Sequence, residues 1–145
     1  DDGEWFGPVL IQNVYTLKYA NALPPGILPN PDLTLTTSDS EDSQKWYFTN
    51  INGNFCRIKN KKTGLYVGVD GAFHNGAYAN EVDQGRSLEF VARPLESGWW
   101  IFTPTQLGPE RESLWWTAND NANKIQYIVR IDQKTQYWLV TNTTA

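Results

Sequence analysis

The chain has 145 residues and a formal net charge of −4, with 40% hydrophobic and 14% aromatic residues. That length suits one domain that needs neither disulfide nor metal, the acidity argues against a nucleic-acid partner held through its phosphates, and a single cysteine cannot form an internal bridge. No apolar run approaches the roughly 20 residues of a membrane span and no signal peptide is visible, while a chain without Met that begins Asp1-Asp2-Gly3 is compatible with a processed form and leaves the compartment open, cytoplasmic or secreted.

Alternating apolar and polar residues predict short strands throughout. In chain order they are Pro8 to Gln12, Tyr15 to Ala20, Leu33 to Thr37 and Lys45 to Thr49. Phe55 to Lys59, Leu65 to Val69, Ala77 to Val82 and Leu88 to Ala92 follow. Trp99 to Thr103, Leu114 to Ala118, Ile125 to Ile131 and Tyr137 to Thr141 complete the set. No window sustains a 3.6-residue period, and Gly, Pro, Asn and Asp punctuate the gaps, so the chain is all-β. Four prolines stiffen the loop Leu23 to Pro31, with Ile27 and Leu28 at its tip. The acidic run Asp39 to Asp42 reads as a solvated loop, and Lys59, Lys61 and Lys62 as a solvated turn before Thr63-Gly64. Cys56 alternates with Ile58 and is expected to be buried and inert, since nothing basic is patterned around it.

The strands group into three sets of four, at about residues 7–53, 54–97 and 98–145, as one domain. The triplets Gln44-Lys45-Trp46, Leu88-Glu89-Phe90 and Gln136-Tyr137-Trp138 recur at spacings of 44 and 48, and Leu17, Leu65 and Leu114 at 48 and 49. Each unit must borrow its core from the others. Trp46, Phe90, Trp116 and Trp138 fall on inward positions, with the three leucines as their shared apolar framework. Tyr66 and Trp115 fall on the outward face.

Four short strands repeated three times, with Q-x-W closing two repeats, resemble the β-trefoil of the ricin-B type. Arg57-Ile58-Lys59-Asn60 before Thr63-Gly64-Leu65-Tyr66, and the turn Asp70-Gly71-Ala72-Phe73-His74-Asn75-Gly76, carry the likeness further. The layout is also similar to fungal trefoil lectins and mycocypin-type protease inhibitors. The resemblance implies a β-trefoil fold and carbohydrate binding without catalysis. It also implies a sugar held by an Asp on the second strand, an aromatic after the third and an Asn before Q-x-W. Those positions fall on Gly68, Val82 and Ser87 in the second repeat and on Thr117, Ile131 and Thr135 in the third. The first offers Ala20 and Ser43, so the usual set is degenerate.

Rearranged polar pockets are therefore expected from Asp70, Asn75, Tyr78 and Asn80 in the second repeat, and from Asn119, Asp120, Asn121 and Tyr127 beside Trp115 in the third; turn-forming Asn and Asp residues remain the alternative. An exposed indole suits a sugar face or a protein partner equally. Pro25, Ile27, Leu28 and Trp99 are the candidate contacts to a larger protein subunit, a role similar in outline to that of the lectin-like light subunit accompanying mushroom tyrosinase. The same loop has the stiffness of a protease-inhibitor segment. One His and one Cys, with no nucleophile elbow, HExxH, P-loop or paired-Cys spacing, give no catalytic set, no metal site and no cofactor. His74, in a Gly-flanked turn, is expected to bond the backbone or solvent. Asn142-Thr143-Thr144 is a glycosylation sequon.

Overall fold

The computed structural model describes residues 5–49 and 55–143. Its strands are β1 (Trp5–Asn13), β2 (Tyr19–Asn21), β3 (Thr34–Thr36), β4 (Trp46–Thr49), β5 (Arg57–Asn60) and β6 (Tyr66–Gly68), followed by β7 (Asn80–Val82), β8 (Phe90–Pro94), β9 (Trp100–Pro104), β10 (Leu114–Asn119), β11 (Lys124–Val129) and β12 (Trp138–Asn142). Every strand expected from the alternation overlaps one of these. The boundary proposed between the first and second repeats lies outside the described residues.

Six strands close into a barrel. β1 pairs with β12 and β4, β4 with β5, β8 with β9, and β9 with β12. The Cys56–Phe90 bridge joins the start of β5 to β8. Closure pairs β1, β4, β9 and β12 on both edges. The remaining strands form three hairpins, β2–β3, β6–β7 and β10–β11, that cap the barrel. Trp46, Phe90 and Trp138 are buried at equivalent places, with Phe48, Phe102 and Trp116 packed among them. The Trp46 indole N–H donates to the Ala20 carbonyl at 3.0 Å and that of Trp138 to the Trp116 carbonyl at 3.2 Å.

The glutamines of the two Q-x-W triplets are structural. Gln44 donates to the Asn21 side chain and accepts from the Glu41 N–H. Gln136 donates to Thr117 and Val129 and accepts from the Ile131 N–H. Each pins a hairpin to the one-turn 3₁₀ helix before the next barrel strand, at Asp42–Gln44 and Lys134–Gln136. In the second repeat the buried Leu88 takes this position, and its N–H donates to the Val67 carbonyl instead.

Leu17 does not belong to the apolar framework. It is 60% exposed and sits in a left-handed turn at φ 61°, where the second repeat has Gly64 at φ 72°. The two turns are built alike: Asn13 and Asn60 are buried, and each side-chain oxygen accepts two backbone N–H groups of the turn ahead. The Leu17 N–H donates to Asn13 and the Gly64 N–H to Asn60. Lys18, not Leu17, therefore stands in register with Leu65, and β2 begins four residues later than the alternation from Tyr15 suggests. Left-handed backbone costs a residue with a side chain about 1–2 kcal/mol, part of which glycine loses again through its freer unfolded chain. Leu17→Gly is thus expected to raise stability by about 0.5–1 kcal/mol, read as a higher denaturant midpoint.

The three hairpins meet with a regular period of 46 residues. The buried residues Leu33, Ala79 and Ile125 face the barrel; the Leu33 N–H donates to Ala79 and the Ala79 N–H to Ile125. One residue earlier, the flanking positions Asp32, Tyr78 and Lys124 bridge to Asn80, Gln126 and Thr34. Strand alternation turns these side chains away from the barrel, so the middle of the cap carries one side chain from each repeat.

Candidate functional site

Three symmetry-equivalent positions therefore hold an acid, an aromatic and a base. The Lys124 ammonium donates to Asp32 Oδ2 at 2.6 Å and lies 5.1 Å from the centre of the Tyr78 ring. Its hydrogen bond to Asp32 raises the Lys124 pKa, so the ammonium stays charged. Asp32 Oδ1 accepts from Asn80 Nδ2, and Asn80 Oδ1 accepts from the Asp70 backbone N–H at 3.0 Å. These groups form the floor of a cleft of about 610 Å³, walled by the proline loop on one side and the residue 69–78 turn on the other. The loop is tied down at its foot, where Asn80 Nδ2 donates to the Asn30 carbonyl and Arg86 to the Asn30 side chain.

The floor offers a carboxylate with free lone pairs, an amide, an ammonium and an aromatic face, while Leu28, Pro29, Pro31 and Val69 supply apolar wall. A few convergent polar groups in a partly apolar cleft is the usual composition of a small-molecule site. Nothing in it forms a nucleophile and base pair.

Of the second-repeat set, Asp70, Tyr78 and Asn80 line this cleft and Asn75 does not. Asn75 instead stitches the turn to β11 by accepting from the Val129 N–H. The third-repeat set is not brought together. Tyr127 is fully buried, its hydroxyl donating to the Gly68 carbonyl at 2.9 Å. Asn119 bonds Gln126 and the Ala122 N–H, a turn-forming role. Trp115 is half-buried between Arg130 and Tyr137. Tyr66 is not outward: it is 8% exposed, with the Lys59 ammonium above its ring. Asp32, Asn30 and Lys124 are additions to the expected set; the period of 46 residues that lines up 32, 78 and 124 is the signal for Asp32 and Lys124, and Asn30 lies off it.

The positions that the resemblance assigns to the sugar-binding Asp are occupied internally. At Gly68 a Cβ would lie 2.6 Å from Val82 and 3.1 Å from the Arg86 carbonyl, so no side chain fits there. Thr117 donates to the Trp115 carbonyl and accepts from Gln136. In the first repeat the equivalent residue is Asn21 rather than the buried Ala20, and it is engaged by Gln44 and Thr34.

Of the partner candidates, Pro25, Ile27 and Leu28 are exposed, with Ile27 entirely so. Trp99 is half-buried against Tyr137, ring centres 5.5 Å apart. Cys56 is buried and its thiol is pushed up to about 12 by desolvation, which leaves it unreactive. His74 Nδ1 lies 3.0 Å from the Asn75 carbonyl. Asp42 of the acidic loop pairs with Lys45 and Lys61.

No protein-family model matches the chain, and no curated protein matches it in sequence. Solved structures do match. A ricin B-like lectin of Macrolepiota procera, in complex with lactose, superposes with a TM-score of 0.73 at 15% identity over 98% of this chain and 97% of its own. The Rhizoctonia solani agglutinin gives 0.73 at 17% identity over 94% and 96%. The designed threefold-symmetric protein ThreeFoil gives 0.76 at 8% identity over 92% and 97%. At these identities the likeness speaks to the backbone, and the chain has the ricin-B-type β-trefoil fold.

Proposed function

We propose that the protein is a non-enzymatic carbohydrate-binding module whose ligand enters the cleft on the hairpin cap. The observation that carries this reading is the convergence of Asp32, Tyr78, Asn80 and Lys124 on one floor. A hexose presents an apolar C–H face and a hydroxyl-rich edge. Tyr78 suits the first, and a carboxylate already oriented by Asn80 and Lys124 suits the second, because little ordering remains to be done on binding. The lactose complex of the Macrolepiota lectin supports a sugar as the ligand class. A glycan array followed by calorimetric titration tests it. Tyr78→Ala and Asp32→Ala are each expected to weaken binding at least tenfold, or about 1.4 kcal/mol. Retention of no glycan, or affinities untouched by both substitutions, would sink the proposal.

Full exposure of Ile27 at the tip of an anchored loop supports a second reading, a protein-binding role for this loop, either in an accessory subunit that binds a larger protein without sugar binding, through Pro25, Ile27 and Leu28, or in a protease inhibitor acting through Gly26, Ile27 and Leu28. Large apolar side chains presented to solvent on a proline-stiffened loop are what a partner pocket can bury at reduced entropic cost. Size-exclusion of native material decides it: elution as the free chain, together with undiminished protease activity in excess protein, would remove this alternative.

A further inference from the structure

Glu81 is unused by the site and is the most anomalous residue of the cap. Positions 35, 81 and 127 are equivalent at the 46-residue period, and two of them hold the buried apolar Leu35 and Tyr127. The third is a carboxylic acid, 1% exposed, with no hydrogen-bond partner for either oxygen. A buried charge without a partner is costly, whereas a neutral carboxyl in the same place costs far less.

Its surroundings are the two ends of the proline loop. The Glu81 N–H donates to the Pro31 carbonyl at 3.0 Å. The polar groups beside its carboxyl are the Thr63 side chain and the Leu23 backbone, neither in well-formed hydrogen-bond geometry. The charged side chains on the neighbouring elements are Lys59, Lys61 and Lys62 around the turn after β5, Asp83 and Arg86 after β7, and Asp32 at the foot of the loop. Lys59 lies over Tyr66, Lys61 pairs with Asp42, Arg86 with Asp83 and Asp32 with Lys124. Among the described residues no ion pair reaches Glu81.

We propose that Glu81 is a proton-operated latch beneath the loop that walls the cleft: protonated, it stays buried under the closed loop from Leu23 to Pro31, and ionised, it draws water in and lets the loop lift. Burial, only partly offset by the Thr63 side chain and the Leu23 backbone, holds the carboxyl up at about 7 against an ordinary 4.5, which puts the switch near neutrality. Closed-loop population then falls as pH rises, since the ionised group gains its hydration only in the open state. The consequence for binding rests on the cleft being the ligand site; the motion of the loop does not.

The test pairs carboxyl titration of the ¹³C-labelled wild type with amide exchange, corrected for intrinsic rates, over residues 22–34. The expected results are a Glu81 midpoint near 7 and loop protection that drops about tenfold between pH 6 and 8.5, with no such drop in Glu81→Gln. A midpoint near 4.5, or wild-type protection that is flat with pH, overturns the proposal. Lactose titrated into both proteins separates the two ideas. If sugar binds neither protein and no glycan is retained while the exchange difference persists, the latch stands and the carbohydrate reading fails. If sugar binds wild type at pH 6 and 8.5 equally, the latch does not govern the cleft.

Discussion

Trp138→Ala is expected to lower the free energy of unfolding by about 3–5 kcal/mol, a large part of the 5–15 kcal/mol that an ordinary domain has. The side chain is fully buried, its ring centre 5.5 Å from that of Trp116. Alanine would leave a cavity at the junction of β12, β1 and β9, where Trp138 faces Asn13 and Trp100 across the ladders. It would also strip the Trp116 carbonyl of the indole donor, and an unpaired buried acceptor adds to the loss. The melting temperature should fall by roughly 10–20 °C. Trp138→Phe is the informative control, because the second repeat already places Phe90 there, with Leu88 in place of the glutamine. It keeps most of the volume and should cost only about 1–2 kcal/mol. A loss below 1 kcal/mol for the alanine variant would mean that the barrel does not depend on this ring.

The second large effect depends on pH. A carboxyl raised in the folded state to about 7 from an ordinary 4.5 binds more protons folded than unfolded between those values. Stability therefore falls as pH rises through that window and levels off above it. Glu81→Gln removes the titration, so it should stabilise the protein by about 2 kcal/mol at pH 8 and by nothing measurable at pH 4. Local opening lets water reach the carboxylate and keeps the figure below the full value of the displacement. Denaturant midpoints for both proteins at the two pH values check it, and a constant difference between them would contradict the assignment.

The twelve strands were legible because half-buried strands alternate whatever their partners, and the alternation survives even in repeats that share few identities. Registering the repeats from identities misled at Leu17. The leucine that matched Leu65 lies in a turn fixed by Asn13, and the corresponding Asn60 was visible in the sequence. The core tryptophans could be read because a Q-x-W glutamine and its indole act within one repeat. The cleft could not be read in that way. Asp32, Tyr78 and Lys124 lie in different repeats, and none carries a motif. Tyr66 is expected on the outward face and Tyr127 in a polar pocket, yet both are buried, because alternation on a hairpin does not say which face the neighbouring hairpins cover.

Under the proposed function, a cleft floored by one side chain from each repeat also bears on how many ligands that site takes per chain. A trefoil with a complete pocket in every repeat is trivalent and can bridge ligands on separate surfaces, whereas groups converging on the pseudo-threefold axis make one pocket that no repeat owns. On the proposed reading this cleft takes one ligand per chain, and clumping of glycan-coated particles through it would require two or more chains joined together.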